Sequence, residues 1–307
     1  MSNTVTFSGT GELKQSDVTD GIGSATIVII EGYTSIASNA FRSKTNIISV
    51  TTGNSVTTIG RYAFYACTGL TSVTIGNSVT TIGSFAFYAC TGLTSVTIPN
   101  SVTTIGTSAF YACTGLTLVT IGNSVTTIGT SAFRSCSSLI SIIVDVNNIS
   151  YSSIEEVLFN KSETILITFP PGKSGAYTIP NSVTTIEMYA FYACTGLTSV
   201  TIGNSVTTIG SFAFYACTGL TSVTIPNSVT TIGYNAFISS GVTNVTISNS
   251  QLGIISPSPS VVFFGKNNVR TYLPANREFS IPPQTFGNAP FTITAPFSYS
   301  DGSFTYT

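Results

Sequence analysis

By residue type, the side chains best suited to nucleophilic or metal chemistry are six cysteines: Cys67, Cys90, Cys113, Cys136, Cys194 and Cys217. Their spacing argues against both uses. They share one phase of a repeat, and no CxxC pair brings two ligands together. A reactive thiolate needs an imidazole or a consistent cation beside it to lower its pKa, and the chain contains no His. These residues read as free, buried thiols acting as small core side chains. The absence of His also removes the Ser-His-Asp triad, the Cys-His dyad and His-ligated zinc or haem. Glu155 and Glu156 are adjacent, so on a strand they point to opposite faces. No motif gathers carboxylates into the pair, about 5–9 Å apart, that glycoside hydrolysis requires. The stretch PPGKSG holds Gly172, Lys173 and Ser174 but lacks the GxxxxGK[ST] spacing and a following helix, and reads as a turn. LPAN, Leu273 to Asn276, lacks the Thr-Gly of a sorting signal and reads as a loop. The residues therefore point to no catalytic group, no metal and no cofactor.

Two columns remain that could contact a ligand. Ser72, Thr74, Ser95, Thr97, Thr120, Ser199, Thr201, Ser222 and Thr224 flank the central Val of a recurring LTSVTI-like segment, on the outward side of a strand. The columns continue at Ser49, Thr51, Asn244 and Thr246, and depart at Leu118, Ser141 and Ile143. This predicts a neutral, hydroxyl-covered sheet with three open uses. It could bind a repetitive ligand such as a glycan or an extended peptide, order water as an ice-binding array, or simply stack Thr on Thr to stabilise the sheet. The second column is aromatic: Tyr65, Tyr88, Tyr111, Tyr192 and Tyr215. Its rings could offer faces to sugars or cover a flank of the molecule.

The element that positions these columns is a repeat. Ala-Phe recurs with Phe at 41, 64, 87, 110, 133, 191, 214 and 237, every interval being 23 residues except one of 58. A fixed period in this range marks a solenoid. Each unit, such as AFYACTGLTSVTIGNSVTTIGSF, holds two short β-branched stretches, LTSVTI and SVTTI, separated by a Gly-Asn-Ser or Pro-Asn-Ser turn. Gly, Pro and several Thr make a helix a poor reading. One unit buries too little to offset the entropy of ordering it, so units must stack and pair their strands about 4.8 Å apart. Residues Tyr62–Gly106 and Tyr189–Gly233 are identical over 45 positions. A site built inside that block exists twice, which suits multivalent contact better than one asymmetric catalytic constellation.

Composition narrows the partners. Of 307 residues only 7% are charged, with 10 Lys+Arg against 11 Asp+Glu. Such a chain has no broad basic surface for nucleic acid or anionic lipid. Hydrophobic residues make up 42%, the opposite of a disordered composition, yet they are dispersed, and no run approaches the length of a membrane helix. MSNTVTFSGTGELKQ has neither the basic nor the apolar region of a Sec signal.

The pattern AFxxCxxLxxVxIxxxVxxIG closely resembles the BspA-like leucine-rich repeats of bacterial and protist surface proteins, also found in large DNA viruses. The resemblance covers about residues 25–250. It implies a mostly β, right-handed leucine-rich-repeat solenoid with a concave parallel sheet built from the LxxVxI segments. It also implies a non-enzymatic protein of a cell surface or virion surface, engaged in adhesion or recognition of a protein or glycan ligand. A structural spacer or fibre subunit capable of self-assembly is the alternative.

Three departures from the repeat complete the expected organisation. Residues 1–24 form an N-terminal cap, a short helix or loop over the first rung. Within the solenoid of residues 25–250, an insertion at 145–179 replaces a simple turn, and VLFNKSETILITF reads as two strands around Asn160-Lys161-Ser162-Glu163. Residues 251–307 lose the period. They read either as a β-rich C-terminal cap or, from FSIPPQTFGNAPFTITAPFSYSDGSFTYT, as the opening of a bacterial Ig-like module.

Overall fold

A computed structural model describes residues 3–242 and, beyond them, the backbone of short strands at 244–247, 270–272, 279–280, 297–300 and 303–306. The chain falls into two compact units: residues 1–162 with 170–172, and residues 163–169 with 173–307. Both are mostly β and are built from the expected solenoid rung.

Each rung contributes one long strand, one short strand and one turn to three separate ladders. In the first unit the long strands Thr4–Ser8, Ile27–Glu31, Ser49–Thr52 and Ser72–Thr74 pair in parallel, in that order. Ser95–Ile98, Leu118–Ile121 and Ser141–Val144 form a second parallel run. The short strands Glu12–Leu13, Ser35–Ile36, Thr58–Ile59, Thr81–Ile82, Thr104–Ile105 and Thr127–Ile128 make one unbroken sheet. In the second unit Gly175–Thr178 pairs with Leu197–Thr201, and Ser222–Ile225 pairs with Asn244–Ile247. The short strands there run from Ile165–Thr168 through Thr185–Ile186 and Thr208–Ile209 to Thr231–Ile232. Register follows the repeat: Val50 lies opposite Val73, and Val96 opposite Val119. Val28, Val50, Val73, Val96, Val119, Val200 and Val223 of the long strands and the Ile of most short strands point inward, and alternation sends the neighbouring residues outward.

The turn ladder uses backbone conformations that L-residues seldom adopt. Tyr62 and Ala66 sit at φ 58° and 55°, and the same pair of positions is left-handed in every Ala-Phe rung from Asn39/Ser43 to Asn235/Ser239. The alternation has a purpose. The amides of Tyr62, Phe64 and Ala66 donate to Ser84, Ala86 and Tyr88 of the next rung, while those between them, Ala63 and Tyr65, donate three residues back. Each amide from Tyr62 to Ala66 is thereby paired, which offsets the strain. The turn also delivers Phe to the core. Phe41, Phe64, Phe87, Phe110 and Phe133 stack at centroid spacings from 4.9 to 5.7 Å. In the second unit Phe169, Phe191, Phe214 and Phe237 do the same. Phe169 is a ladder residue that the Ala-Phe pattern misses, because Thr168 precedes it; its spacing of 22 residues from Phe191 is the surviving signal.

The first unit closes at both ends. Residues 4–21 supply a long strand, a short strand and the helix Gln15–Gly21 in place of the Phe turn. Phe7 meets Phe41 edge-on at 78°, ending the stack on a ring edge. At the other end lies the insertion. Its antiparallel hairpin, Tyr151–Ile154 with Val157–Asn160, turns at Glu155-Glu156, both at positive φ. Strands do flank residues 161–164 as the sequence predicts, but this earlier hairpin is additional. Two adjacent glutamates are not among the usual turn residues, so the sequence hid it. The hairpin covers strand edges that would otherwise be open. Ile142 donates to the Glu156 carbonyl at 3.0 Å, Val144 to Ser153 Oγ at 3.0 Å, and Ile128 to the Tyr151 hydroxyl at 3.0 Å.

Within each unit the long-strand ladder is interrupted once, at equivalent steps of the duplicated block. Ser72–Thr74 and Ser95–Ile98 belong to different sheets, as do Leu197–Thr201 and Ser222–Ile225. Proline removes one closing bond at each of these steps. At the same phase Gly53 donates to the Ile30 carbonyl and Asp145 to that of Ile121; Pro99 and Pro226 have no N–H to give. Most of residues 251–307, and with them most of the proposed Ig-like segment, lie outside the described residues.

Candidate functional site

Alternation along the long strands places the hydroxyl columns at the surface. Ser72, Thr74, Ser95, Thr97, Ser199, Thr201, Ser222 and Thr224 are exposed, and Thr120, beside the larger Leu118, is half-buried. None of these nine hydroxyls bonds to another described residue. Elsewhere on each rung Thr behaves differently. Thr57 Oγ1 donates to the Thr34 carbonyl at 3.0 Å, Thr80 to Thr57 at 3.1 Å and Thr103 to Thr80 at 3.2 Å. Thr71 and Thr117 make equivalent bonds to Ile48 and Thr94. The sequence treats all these threonines alike. The structure separates those that staple neighbouring rungs from those whose hydroxyls are left to solvent.

The second interruption adds relief to this face. An open depression of about 340 Å³ crosses it, with Thr201 and Asn204 on one rung facing Thr224, Pro226 and Asn227 on the next. The first unit carries the same residue types at the same step: Thr74, Asn77, Thr97, Pro99 and Asn100.

The tyrosine column is a stacked ladder. Tyr65, Tyr88 and Tyr111 lie 4.9 Å apart and within 8° of parallel, and Tyr192 and Tyr215 lie 4.7 Å apart. Ring faces are therefore spent on one another, and the flank presents edges and hydroxyls rather than the faces a stacked sugar needs. Burial raises the pKa of Tyr88, with Tyr111 and Tyr65 adding to the effect. A second aromatic column, which sequence reading did not single out, runs beside the first. Tyr62 stacks on Phe85 at 4.9 Å, and Tyr189 on Phe212 at 5.4 Å. Arginines pack on these rings: Arg42 over Tyr65 at 4.6 Å, Arg61 over Tyr62 at 4.7 Å and Arg134 over Tyr111 at 5.7 Å.

The cysteines are all buried and free. Desolvation pushes the Cys67 thiol up to about 12 and raises Cys90, Cys113 and Cys194 as well, so none of these four is a ready nucleophile. No group of His, Cys, Asp or Glu among the described residues could hold a metal ion. Ile140, Ile143, Val146 and Ile149 form an exposed aliphatic run in the single-copy stretch before the hairpin. Asn148 anchors it, bonding the Gly122 and Val125 carbonyls while accepting from the amides of Ser150 and Tyr151.

The family model for the BspA type leucine-rich repeat region matches residues 27–172 and 173–289. Among solved structures, the chain is similar to a leucine-rich repeat protein from Eubacterium ventriosum. The two are 32% identical with a TM-score of 0.71, over 80% of this chain and 68% of that one. A leucine rich cell surface protein from Faecalibacterium prausnitzii is 27% identical with a TM-score of 0.51, over 81% and 78%. A leucine-rich repeat protein from Bacteroides ovatus, 24% identical with a TM-score of 0.57 over 80% and 63%, shares the fold. No protein with a curated description matches significantly.

Proposed function

The chain belongs to the BspA-type leucine-rich-repeat family, and from that premise we propose that it is a non-enzymatic recognition protein of a cell or virion surface. Its ligand, a protein or a glycan, meets the hydroxyl face of the long strands. The observation that carries this reading is the division among the hydroxyls. Thr34, Thr57, Thr80 and Thr103 take part in bonds between rungs, while Ser72, Thr74, Ser95, Thr97 and their counterparts bond to no described residue. A face needed only for stacking would be expected to use its hydroxyls as the neighbouring columns do. A neutral face of free donors and acceptors suits hydroxyl-rich or amide-rich ligands, and its duplication suits multivalent contact. The same argument counts against a mere spacer.

Ice binding fits less well. An ordered water lattice needs a long unbroken array, and the long ladder of the first unit is divided into runs of four and three strands. The cell-surface description of the Faecalibacterium relative is in keeping with the proposed location. Screening the full chain against an array of neutral glycans and matrix proteins tests the reading. Saturable binding of one class supports it, and a response at background throughout removes it.

A further inference from the structure

Around the duplicated turns, the aromatic flank of the first unit differs from that of the second above all in charge. The turn segments 38–44, 60–66, 84–89, 107–112 and 130–135 carry Arg42, Lys44, Arg61 and Arg134 and no Asp or Glu. The corresponding segments of the second unit, 187–193, 211–216 and 234–239, carry Glu187 and no Lys or Arg. The aromatic scaffold beneath is the same. Tyr62 and Tyr65 meet at 5.6 Å and 75°, Tyr189 and Tyr192 at 5.8 Å and 77°. Met188 stands where Arg61 does, and Pro170, after the ladder residue Phe169, stands where Arg42 does. The duplicate thus serves as an internal control: the aromatic ladder does not need arginine in order to form.

Arg42 and Arg61 converge on a single ring, 5.5 and 4.7 Å from the Tyr62 centroid. Both are exposed, and neither has a carboxylate partner among the described residues. Each uses one nitrogen locally, Arg42 Nη1 to Asn39 Oδ1 at 3.1 Å and Arg61 Nη2 to the Tyr62 hydroxyl at 2.9 Å. Those bonds orient the guanidinium and leave further donors for an anion. Two guanidiniums brought together with no counter-charge, in a chain holding only 10 basic residues, make an anion site. Arg134 extends it along the Tyr65–Tyr88–Tyr111 ladder, four rungs from Arg42, or about 19 Å at the usual strand spacing. An extended polyanion spans that distance and a single small anion does not.

We propose that this flank binds a linear acidic glycan, sulfated or carboxylated, at a single-copy site separate from the hydroxyl face. A glycan is favoured over an acidic peptide by the backbone. From Asn39 to Ala112 the flank amides are consumed between rungs, as in Tyr62 to Ser84, Phe64 to Ala86 and Ala66 to Tyr88, so no edge remains for peptide pairing along that stretch. Tyrosine edges and hydroxyls line the path instead, which suit sugar hydroxyls.

The test is binding of the full chain to immobilised heparin, with desulfated heparin and poly-glutamate as comparators. The expected result is salt-sensitive binding to heparin, weakened about tenfold or more in R42Q/R61Q. R42K/R61K, which keeps charge but loses the fork, should fall between the two, and M188R should add affinity by building half the site in the second unit. Equal binding of poly-glutamate would overturn the glycan assignment in favour of an acidic peptide. Heparin binding that is absent, or unchanged in R42Q/R61Q, would overturn the site itself. The double variant's response to neutral ligands of the hydroxyl face should stay at the wild-type level, which separates this proposal from the reading above.

Discussion

The thiol of Cys90 donates to the carbonyl oxygen of Phe64, one rung earlier, at 3.1 Å. The same bond recurs from Cys67 to Phe41, Cys113 to Phe87, Cys136 to Phe110 and Cys217 to Phe191, between 2.9 and 3.1 Å. Cysteine holds this column because it is small, apolar enough for the core and still a donor. Cys90→Ala removes one of two donors to that carbonyl, which still accepts from the Cys67 amide at 3.2 Å, and should cost about 0.5–1.5 kcal/mol in urea denaturation. Cys194, whose Sγ lies 3.8 Å from the Phe169 oxygen, should lose less on the same change. Equal losses would show that the bond contributes little beyond packing.

The same column sets an alkaline limit on stability. The folded Cys67 thiol is raised from 9.0 to about 12 by burial, so the unfolded chain releases its proton first. The stabilisation is fully present below about pH 9 and is lost as pH rises toward 12. Each such thiol removes about 1.4 kcal/mol per pH unit across that window. Melting temperature measured from pH 8 to 11 should fall steeply above 9, and a variant with Cys67, Cys90 and Cys113 changed to Ala should show a shallower slope. Thiol reagents should titrate no cysteine before unfolding.

Left-handed alanines offer a reversed mutational sign. Ala89 has φ 56° and Ala86 is a buried residue of the same turn at ordinary φ. Ala89→Gly relieves a conformation costing about 1–2 kcal/mol for an L-residue and should be neutral or stabilising. Ala86→Gly should destabilise by about 1 kcal/mol, the usual entropy penalty together with lost packing. Comparing the two melting temperatures checks the turn geometry directly.

Gly83 is required for close approach rather than for its φ. A Cβ there would lie 2.8 Å from the Arg61 backbone nitrogen and the Gly60 carbonyl carbon. Gly83→Ala should therefore cost about 1–3 kcal/mol. Ala37 and Glu187 occupy the same phase in rungs that follow a different structure, the Leu13 and Leu166 strands. An Ala37→Gly variant should not gain stability from relief of any clash.

Much of this architecture was legible because a 23-residue period repeats its own evidence. Phe, Cys, Val and Ile at fixed phases announce a core, and Ser72 or Thr74 between them announces an outward face. Less was legible where meaning depends on a neighbour rung. Thr57 and Thr74 look alike in sequence, yet only the first finds a carbonyl to bond. Pro99 reads as a harmless turn variant of Gly76, but its missing N–H falls at the phase where Gly53 and Asp145 donate to the preceding rung. Arg42 and Arg61, 19 residues apart, meet over one ring only after the chain has coiled through a rung. The Glu155-Glu156 turn carries no turn signature, so the edge-covering hairpin was invisible until strand pairing was seen.

The claim that the hydroxyl face is the ligand surface is tested most directly by T97E/T224E, one charge in each copy of the duplicated step. Both residues are exposed and bond to no described residue, so the fold should melt as wild type. Binding of the full chain to whichever array ligand it selects should then fall by about tenfold or more, as expected when a charge is forced against a neutral partner. Wild-type affinity in that variant, at an unchanged melting temperature, would contradict a ligand surface on the long strands.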